Sequence, residues 1–167
     1  MKLAEFLAIL LITAACLVAQ LVSALLGIAA FSVQDALGST NARLLAYSVL
    51  CGTVVGLCAS AMFPIKTRDR SQLRTMFLSV LSACVGFILF GMVVVYSNSA
   101  GLLEIQLWRY AGSAVVSIAA VGLPGVFRGY RLGHSAKLAG VAALVWISIQ
   151  AIDFAVVMVI MRDFNPR

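Results

Sequence analysis

The chain has 167 residues, of which 63% are hydrophobic and only 11% are charged, and its formal net charge is +6. Its mean hydropathy of +1.08 excludes an ordinary water-soluble fold. Five membrane spans would take up about 100 residues and leave no room for a separate soluble domain. We therefore expect a single all-α domain, a polytopic bundle of about five transmembrane helices.

Long apolar runs separated by short polar loops predict these helices in chain order. The first run, residues 7–30, follows a basic start and could pass for a signal peptide, but it continues unbroken past Cys16. It is interpreted as a retained membrane helix. The second run covers residues 44–63 and ends before Pro64, which a helix does not readily continue through. The other predicted spans are residues 76–96, 107–127 and 138–161.

The distribution of cations predicts the orientation of the spans. The N-terminus and the second and fourth loops lie on one side and carry eight of the 12 Lys and Arg residues. The other side carries Arg43, Arg109, Arg162 and Arg167. The positive-inside rule then places the N-terminus in the cytoplasm and the C-terminus outside. The fourth run is the weakest because it contains Pro124, and its failure to span would return the C-terminus to the cytoplasm.

The second and fourth loops predict a cationic surface on the cytoplasmic side, here named the basic rim. Its members are Lys66, Arg68, Arg70, Arg74, Arg128, Arg131 and Lys137. Cations that flank membrane spans attract anionic lipid headgroups, and an acidic surface of a partner protein is the other candidate. The lipid bilayer and its anionic lipids are therefore expected partners, whereas nucleic acid is not.

Small residues recur at helical spacing in every run and predict close helix packing. Gly52 and Gly56 form a GxxxG pair in the second run, and Gly86 and Ser117 belong to similar stripes in the third and fourth runs. These stripes can pack the bundle itself, or they can dock a second chain, either a membrane-protein partner or another copy. Packing within the bundle is favoured because every run carries such a stripe.

Asp153 is the one formal charge that lies deep inside an apolar run, where it costs about 2.5–3.5 kcal/mol without a partner. Trp146, Gln150 and Asp153 are spaced by four and three residues and share one helix face. Gln20 lies at a similar depth in the first run and is the expected partner. Either a neutral, hydrogen-bonded Asp153 pins two helices together, or it binds a proton, a cation or a cationic substrate in a cavity.

Residue types that carry enzyme chemistry are sparse in this sequence. His134 is the only histidine, and one intramembrane carboxylate cannot form the pair that an aspartyl protease needs. The four cysteines lie in apolar runs without CxxC or Cys/His spacing. We expect no enzyme activity, no metal and no cofactor.

These features favour a non-catalytic small integral membrane protein, a subunit or accessory protein of a membrane complex in a bacterial inner membrane. It would pack against other membrane chains through small-residue helix faces. The alternative is a small transporter or a substrate-binding membrane component with a polar site at Asp153, Gln150, Gln20 and Trp146. A pocket around Asp153 that water can reach would favour the alternative, and a dry, closed contact would favour the subunit.

Overall fold

The structure, a computed structural model, describes residues 3–26, 37–64, 71–96 and 102–163, and the described chain is helical without a strand. The helices are α1 (Leu3–Leu25), α2 (Leu37–Met62), α3 (Gln72–Tyr96), α4 (Leu102–Ser117), α5 (Leu123–Phe127) and α6 (Leu132–Asp163). A π-helical turn, Ile118–Gly122, joins α4 to α5 without a break. The all-α prediction is confirmed.

Five stretches of the described chain are long and apolar enough to cross a membrane, as the sequence predicts. They are Leu3–Ser23, Ala42–Met62, Gln72–Val93, Leu107–Phe127 and Leu132–Val156. The fourth stretch combines most of α4 with the π-helical turn and α5, so the run that contains Pro124 does have the length of a span. The spans therefore agree with the predicted number, although the helices extend beyond them.

Successive spans run in opposite directions, and neighbouring spans pack side by side. Helix α2 lies between α1 and α3, α4 packs against α3, and α6 returns to contact both α4 and α1. One end of the bundle carries Glu5, Phe63 and His134 and is here named the Glu5 end. The opposite end carries Gln20 and Asp153 and is named the Asp153 end. Which end faces the cytoplasm stays a prediction from the loop charges.

The interior of the bundle contains many small and hydroxyl side chains beside a few large ones, while most leucine side chains point outward. Buried side chains include Ser48, Ser79 and Ser113, whose hydroxyls donate to backbone carbonyls four residues earlier in the same helix. Leucine and valine side chains dominate the exposed large apolar residues, among them Val18 and Leu21. A protein dissolved in water buries such side chains, whereas small residues inside and large apolar ones outside suit a lipid solvent.

Glycines permit the closest approach of neighbouring helices. A Cβ atom on Gly52 would lie 2.5 Å from Cα of Cys84, and one on Gly56 would lie 2.5 Å from Cα of Val80. Gly86 has a similar role between α3 and the π-helical turn, since its Cβ would lie 2.6 Å from Cβ of Ala119. Ser117 is also buried and donates a hydrogen bond to the Ser113 carbonyl. The predicted packing residues thus lie inside this chain's own bundle.

Pro124 gives a physical reason for the π-helical turn. In a π-helix each N–H donates to the carbonyl five residues earlier, and Leu123 N–H donates in this way to Ile118 O. Pro124 has no N–H, so the carbonyl of Ala119 lacks the donor that the next π-type bond would supply. The Ser82 hydroxyl of α3 donates to that carbonyl at 2.8 Å. A neighbouring helix therefore satisfies the group that proline leaves free, as hydrocarbon surroundings require.

We expect Ser82→Ala to lower the free energy of unfolding in detergent by about 1 kcal/mol, because it leaves the Ala119 carbonyl without a donor. The same substitution in a Pro124→Ala background should cost less, since residue 124 then has its own N–H. Thermal or denaturant unfolding of the four proteins measures the coupling. Equal costs of Ser82→Ala in both backgrounds would contradict this account of the π-helical turn.

The turn between α5 and α6 is shorter than the sequence predicts. Gly129 has φ 85°, and the bonds from Gly129 N to Val126 O and from Tyr130 N to Gly125 O form a Schellman motif at the end of α5. Helix α6 then begins at Leu132 instead of residue 138. As a consequence, Lys137 lies on the helix rather than in a loop.

Candidate functional site

An open cavity of about 430 Å³ lies at the Asp153 end of the bundle, and all four residues of the predicted polar site line it. Its lining residues are Leu17, Gln20, Tyr47, Phe90, Gly91, Arg109, Trp146, Ile149, Gln150 and Asp153. Every long helix contributes at least one of them. We name this space the Asp153 cavity.

Helix α6 supplies one wall of the Asp153 cavity because its polar residues repeat at helical spacing. Trp146, Gln150 and Asp153 lie on one face, and their exposure rises along it. Trp146 is buried at 6% exposure, Gln150 is half-buried, and Asp153 is exposed. The carboxylate therefore lies in the open part of the cavity and does not pin α6 into a closed helix contact.

The predicted pairing of Gln20 with Asp153 is wrong. The Gln20 side-chain amide donates to the Tyr47 hydroxyl at 3.1 Å. Depth along parallel helices placed Gln20 and Asp153 at one level, but α2 lies against α1 and offers the closer partner. Tyr47 is itself buried at 5% exposure, so this hydrogen bond joins α1 to α2 at the edge of the cavity.

Arg109 is the residue of the cavity that sequence reasoning missed. The loop charges assigned it to topology, because the fourth apolar run begins near it. Helix α4 starts at Leu102, so Arg109 lies two turns into a helix that runs antiparallel to α6. The beginning of the fourth span and the end of the fifth therefore meet at one level. Because the start of one helix lies beside the end of its antiparallel neighbour, the sequence could have predicted that Arg109 and Asp153 lie at the same level.

Two buried polar atoms of cavity residues lack a hydrogen-bond partner in the described part of the chain. They are the indole nitrogen of Trp146 and Oε1 of Gln150. One is a donor and the other an acceptor, and leaving each unpaired costs about 1–3 kcal/mol. Arg109 and Asp153 bring one cation and one carboxylate to the same cavity, and among the described residues no ion pair joins them. The cavity therefore offers unused groups of both polarities.

The Glu5 end, in contrast, is closed by interactions between helix termini. Oε1 of Glu5 lies 3.0 Å from Nε2 of His134. The His134 ring stacks on Tyr130 at 5.7 Å between centroids, and Tyr130 meets Phe63 edge to face at 6.1 Å. The Arg128 guanidinium donates to the backbone carbonyl of Phe63, just beyond the end of α2. This group of five residues, here named the Glu5-end cluster, ties the ends of α1, α2, α5 and α6 together.

Arg128 differs from the prediction that it belongs to an exposed basic rim. It is only 3% exposed, and burial lowers the pKa of its guanidinium from the ordinary value, partly offset by Tyr130. Burial likewise raises the pKa of Tyr130. The Schellman turn at Gly129 directs the chain inward, so Arg128 serves as a cap for α2 rather than as a headgroup ligand.

Of the other predicted cations of the basic rim, the structure describes three. Arg74, Arg131 and Lys137 are exposed at the Glu5 end, where lipid headgroups can reach them. Lys66, Arg68 and Arg70 lie outside the described residues.

Within the described ranges, no group of three or more His, Cys, Asp or Glu side chains lies close enough together to hold a metal ion.

Within the described residues, the fold and the cavity define a class: an all-α protein with five helical stretches that are long and apolar enough to cross a membrane and with an open polar cavity at one end. No protein-family model matches the chain, and no curated protein and no solved structure is significantly similar to it. The proposals for its residues are therefore argued from the positions and contacts of their side chains.

Proposed function

We propose that this chain is an integral membrane protein that binds a small polar solute in the Asp153 cavity, as a small transporter or a substrate-binding membrane component. One observation carries the proposal: Asp153, Gln150, Gln20 and Trp146 line an open cavity instead of closing a helix contact. Its volume of about 430 Å³ falls in the range of small-molecule sites, which lie typically between helices and combine apolar walls with a few polar groups.

The energetic cost of the cavity residues supports a binding role. Charged side chains within membrane spans are expensive and usually mark substrate or ion sites. Here Arg109 and Asp153 both lie inside candidate spans, and the unpaired atoms of Trp146 and Gln150 add to the cost. A polar solute that pairs with these groups would offset it.

We propose a bacterial inner membrane as the location. The loop charges support an orientation in which the Glu5 end lies in the cytoplasm. In that orientation the Asp153 cavity opens to the extracytoplasmic side. The exposed cations Arg74, Arg131 and Lys137 would then meet the anionic headgroups of the cytoplasmic leaflet.

A subunit of a membrane complex is the second candidate, and an unused small-residue groove favours it. The groove lies between α6 and the π-helical turn, has a volume of about 400 Å³ and is lined by residues that include Ala136, Gly140 and Ala143. A Cβ on Gly140 would meet no atom within 4 Å. Close packing of a second membrane helix needs such a surface.

Fluorescence of Trp146 tests solute binding directly. The chain has two tryptophans, so Trp108→Phe leaves Trp146 as the sole reporter inside the cavity. We expect that one charge class among polyols, organic cations, organic anions and zwitterions changes its emission saturably in lipid nanodiscs. Gln150→Leu should weaken that response because it removes the unpaired acceptor.

The matched control is Trp146→Phe, in which the exposed Trp108 reports from outside the cavity and should show no saturable change. If no class of solute alters the emission of Trp146, the binding proposal is refuted. A companion chain that co-purifies at fixed stoichiometry in mild detergent would then establish the subunit role.

A further inference from the structure

We propose that the solute is a small zwitterion of the amino-acid class, carrying one ammonium and one carboxylate group. This inference rests on the proposed function and names its substrate class. It starts from the two charged side chains of the cavity: Arg109 on α4 and Asp153 on α6 face one space from antiparallel helices, and no ion pair joins them in the described chain.

The charge balance of the cavity selects a net-neutral solute with two opposite charges. A solute with a single positive charge would pair with Asp153 but bring its charge towards Arg109, and an anion would meet the reverse problem. A zwitterion satisfies both side chains at once. Arginine also matches carboxylate groups well because its planar guanidinium donates two parallel hydrogen bonds.

The unpaired polar atoms extend this complementarity. An ammonium group has three N–H donors, so at least one of them remains available after the group pairs with the Asp153 carboxylate. Oε1 of Gln150 is a buried acceptor without a partner and can accept from it. A carboxylate has several acceptor positions, and the indole N–H of Trp146 is a buried donor without a partner. Each charged group of the solute would therefore find one charged and one neutral partner among the residues of the cavity.

The rest of the cavity suits the carbon skeleton of such a solute. Phe90 and Ile149 line it together with the ring of Trp146, and they provide an apolar surface beside the charged groups. The volume of about 430 Å³ leaves room for an apolar side chain in addition to the ammonium and carboxylate groups. Free amino acids with apolar side chains combine all of these features.

The probes are free L-amino acids with apolar side chains, each compared with its carboxamide, which is a cation, and its N-acetyl derivative, which is an anion. Trp146 fluorescence of the Trp108→Phe protein in nanodiscs gives the dissociation constants. We expect the best free amino acid to bind about tenfold or more tightly than either derivative, because each derivative loses one charge-assisted interaction.

Each variant that neutralises one cavity charge should lose the preference over one of the two derivatives and keep the preference over the other. Asp153→Asn should bind the free amino acid about tenfold more weakly and lose its preference over the N-acetyl derivative. Arg109→Gln should lose the preference over the carboxamide instead. Misfolding cannot produce these opposite patterns. Arg131→Gln, which removes an exposed cation at the other end of the bundle, should leave all three constants unchanged.

The outcomes separate the two proposals. If a carboxamide, an N-acetyl derivative or a polyol binds the wild-type cavity at least as tightly as the best free amino acid, the zwitterion proposal is overturned while solute binding stands. If Asp153→Asn and Arg109→Gln change the three constants in the same proportion, the assigned charge pairing is wrong. If no probe of any class binds, the proposed function itself fails.

Discussion

Gly52→Ala is expected to lower the free energy of unfolding by about 3 kcal/mol. The added Cβ would lie 2.5 Å from Cα and 2.6 Å from N of Cys84. Backbone atoms cannot rotate away as a flexible side chain can, so α2 and α3 must separate. Thermal unfolding of the detergent-solubilised protein should show the loss as a lower Tm.

Gly140→Ala is the matched control, because it adds the same methyl group to a helical glycine in open space. Alanine is the better helix former by up to about 1 kcal/mol, so this variant should be neutral or more stable. The comparison isolates the contact between α2 and α3 from helix propensity. Equal melting temperatures of the two variants would contradict the assigned role of Gly52.

Arg128→Ala should lower the free energy of unfolding by about 2–3 kcal/mol. It removes the donor to the Phe63 carbonyl at the end of α2 and leaves a cavity at a buried position, since Arg128 is only 3% exposed. Chemical unfolding in mixed micelles measures the change.

Arg131→Ala provides the control for Arg128→Ala, because it removes the same charge from an exposed position in the same turn. A surface substitution of this kind usually changes stability by no more than about 0.5 kcal/mol. If both variants lost the same stability, net charge at the Glu5 end would explain the effect and the buried cap would not.

Hydropathy predicted the five spans because the thickness of hydrocarbon sets the length of each apolar run. It did not predict where the helices end. Helix α2 begins at Leu37 and α6 at Leu132, each several residues before its apolar run. A helix satisfies its backbone hydrogen bonds in water as well as in lipid, so polar residues such as Lys137 extend it without any change that hydropathy detects.

The face of α6 that carries the site also follows from the sequence. Trp146, Gln150 and Asp153 share it because of the helical repeat. The partners of that face are a tertiary property, and depth along the helices fixes only one coordinate. Counting residues brought Gln20 to the right level but assigned it to Asp153, whereas it donates to Tyr47. Arg109 was missed for a different reason, because its place near the start of the fourth apolar run assigned it to the loop charges.

Local chemistry explains the deviations in the fourth span as well. Pro124 signals a disturbed helix, but the sequence alone does not tell whether the chain kinks, breaks or widens into a π-helical turn. Ser82, which comes from another helix, donates to the carbonyl of Ala119 that the π-helical turn leaves without its backbone donor. The local sequence around the proline does not reveal this contact.

The contrast between the two ends of the bundle has a consequence for the path of a solute. Beneath the Asp153 cavity, Trp146 also borders an inner void of only about 30 Å³, and the Glu5-end cluster lies beyond. If the chain carries the solute that it is proposed to bind across the membrane, the bundle has to open at the Glu5 end, where Glu5 of the first helix lies 3.0 Å from His134 of the last.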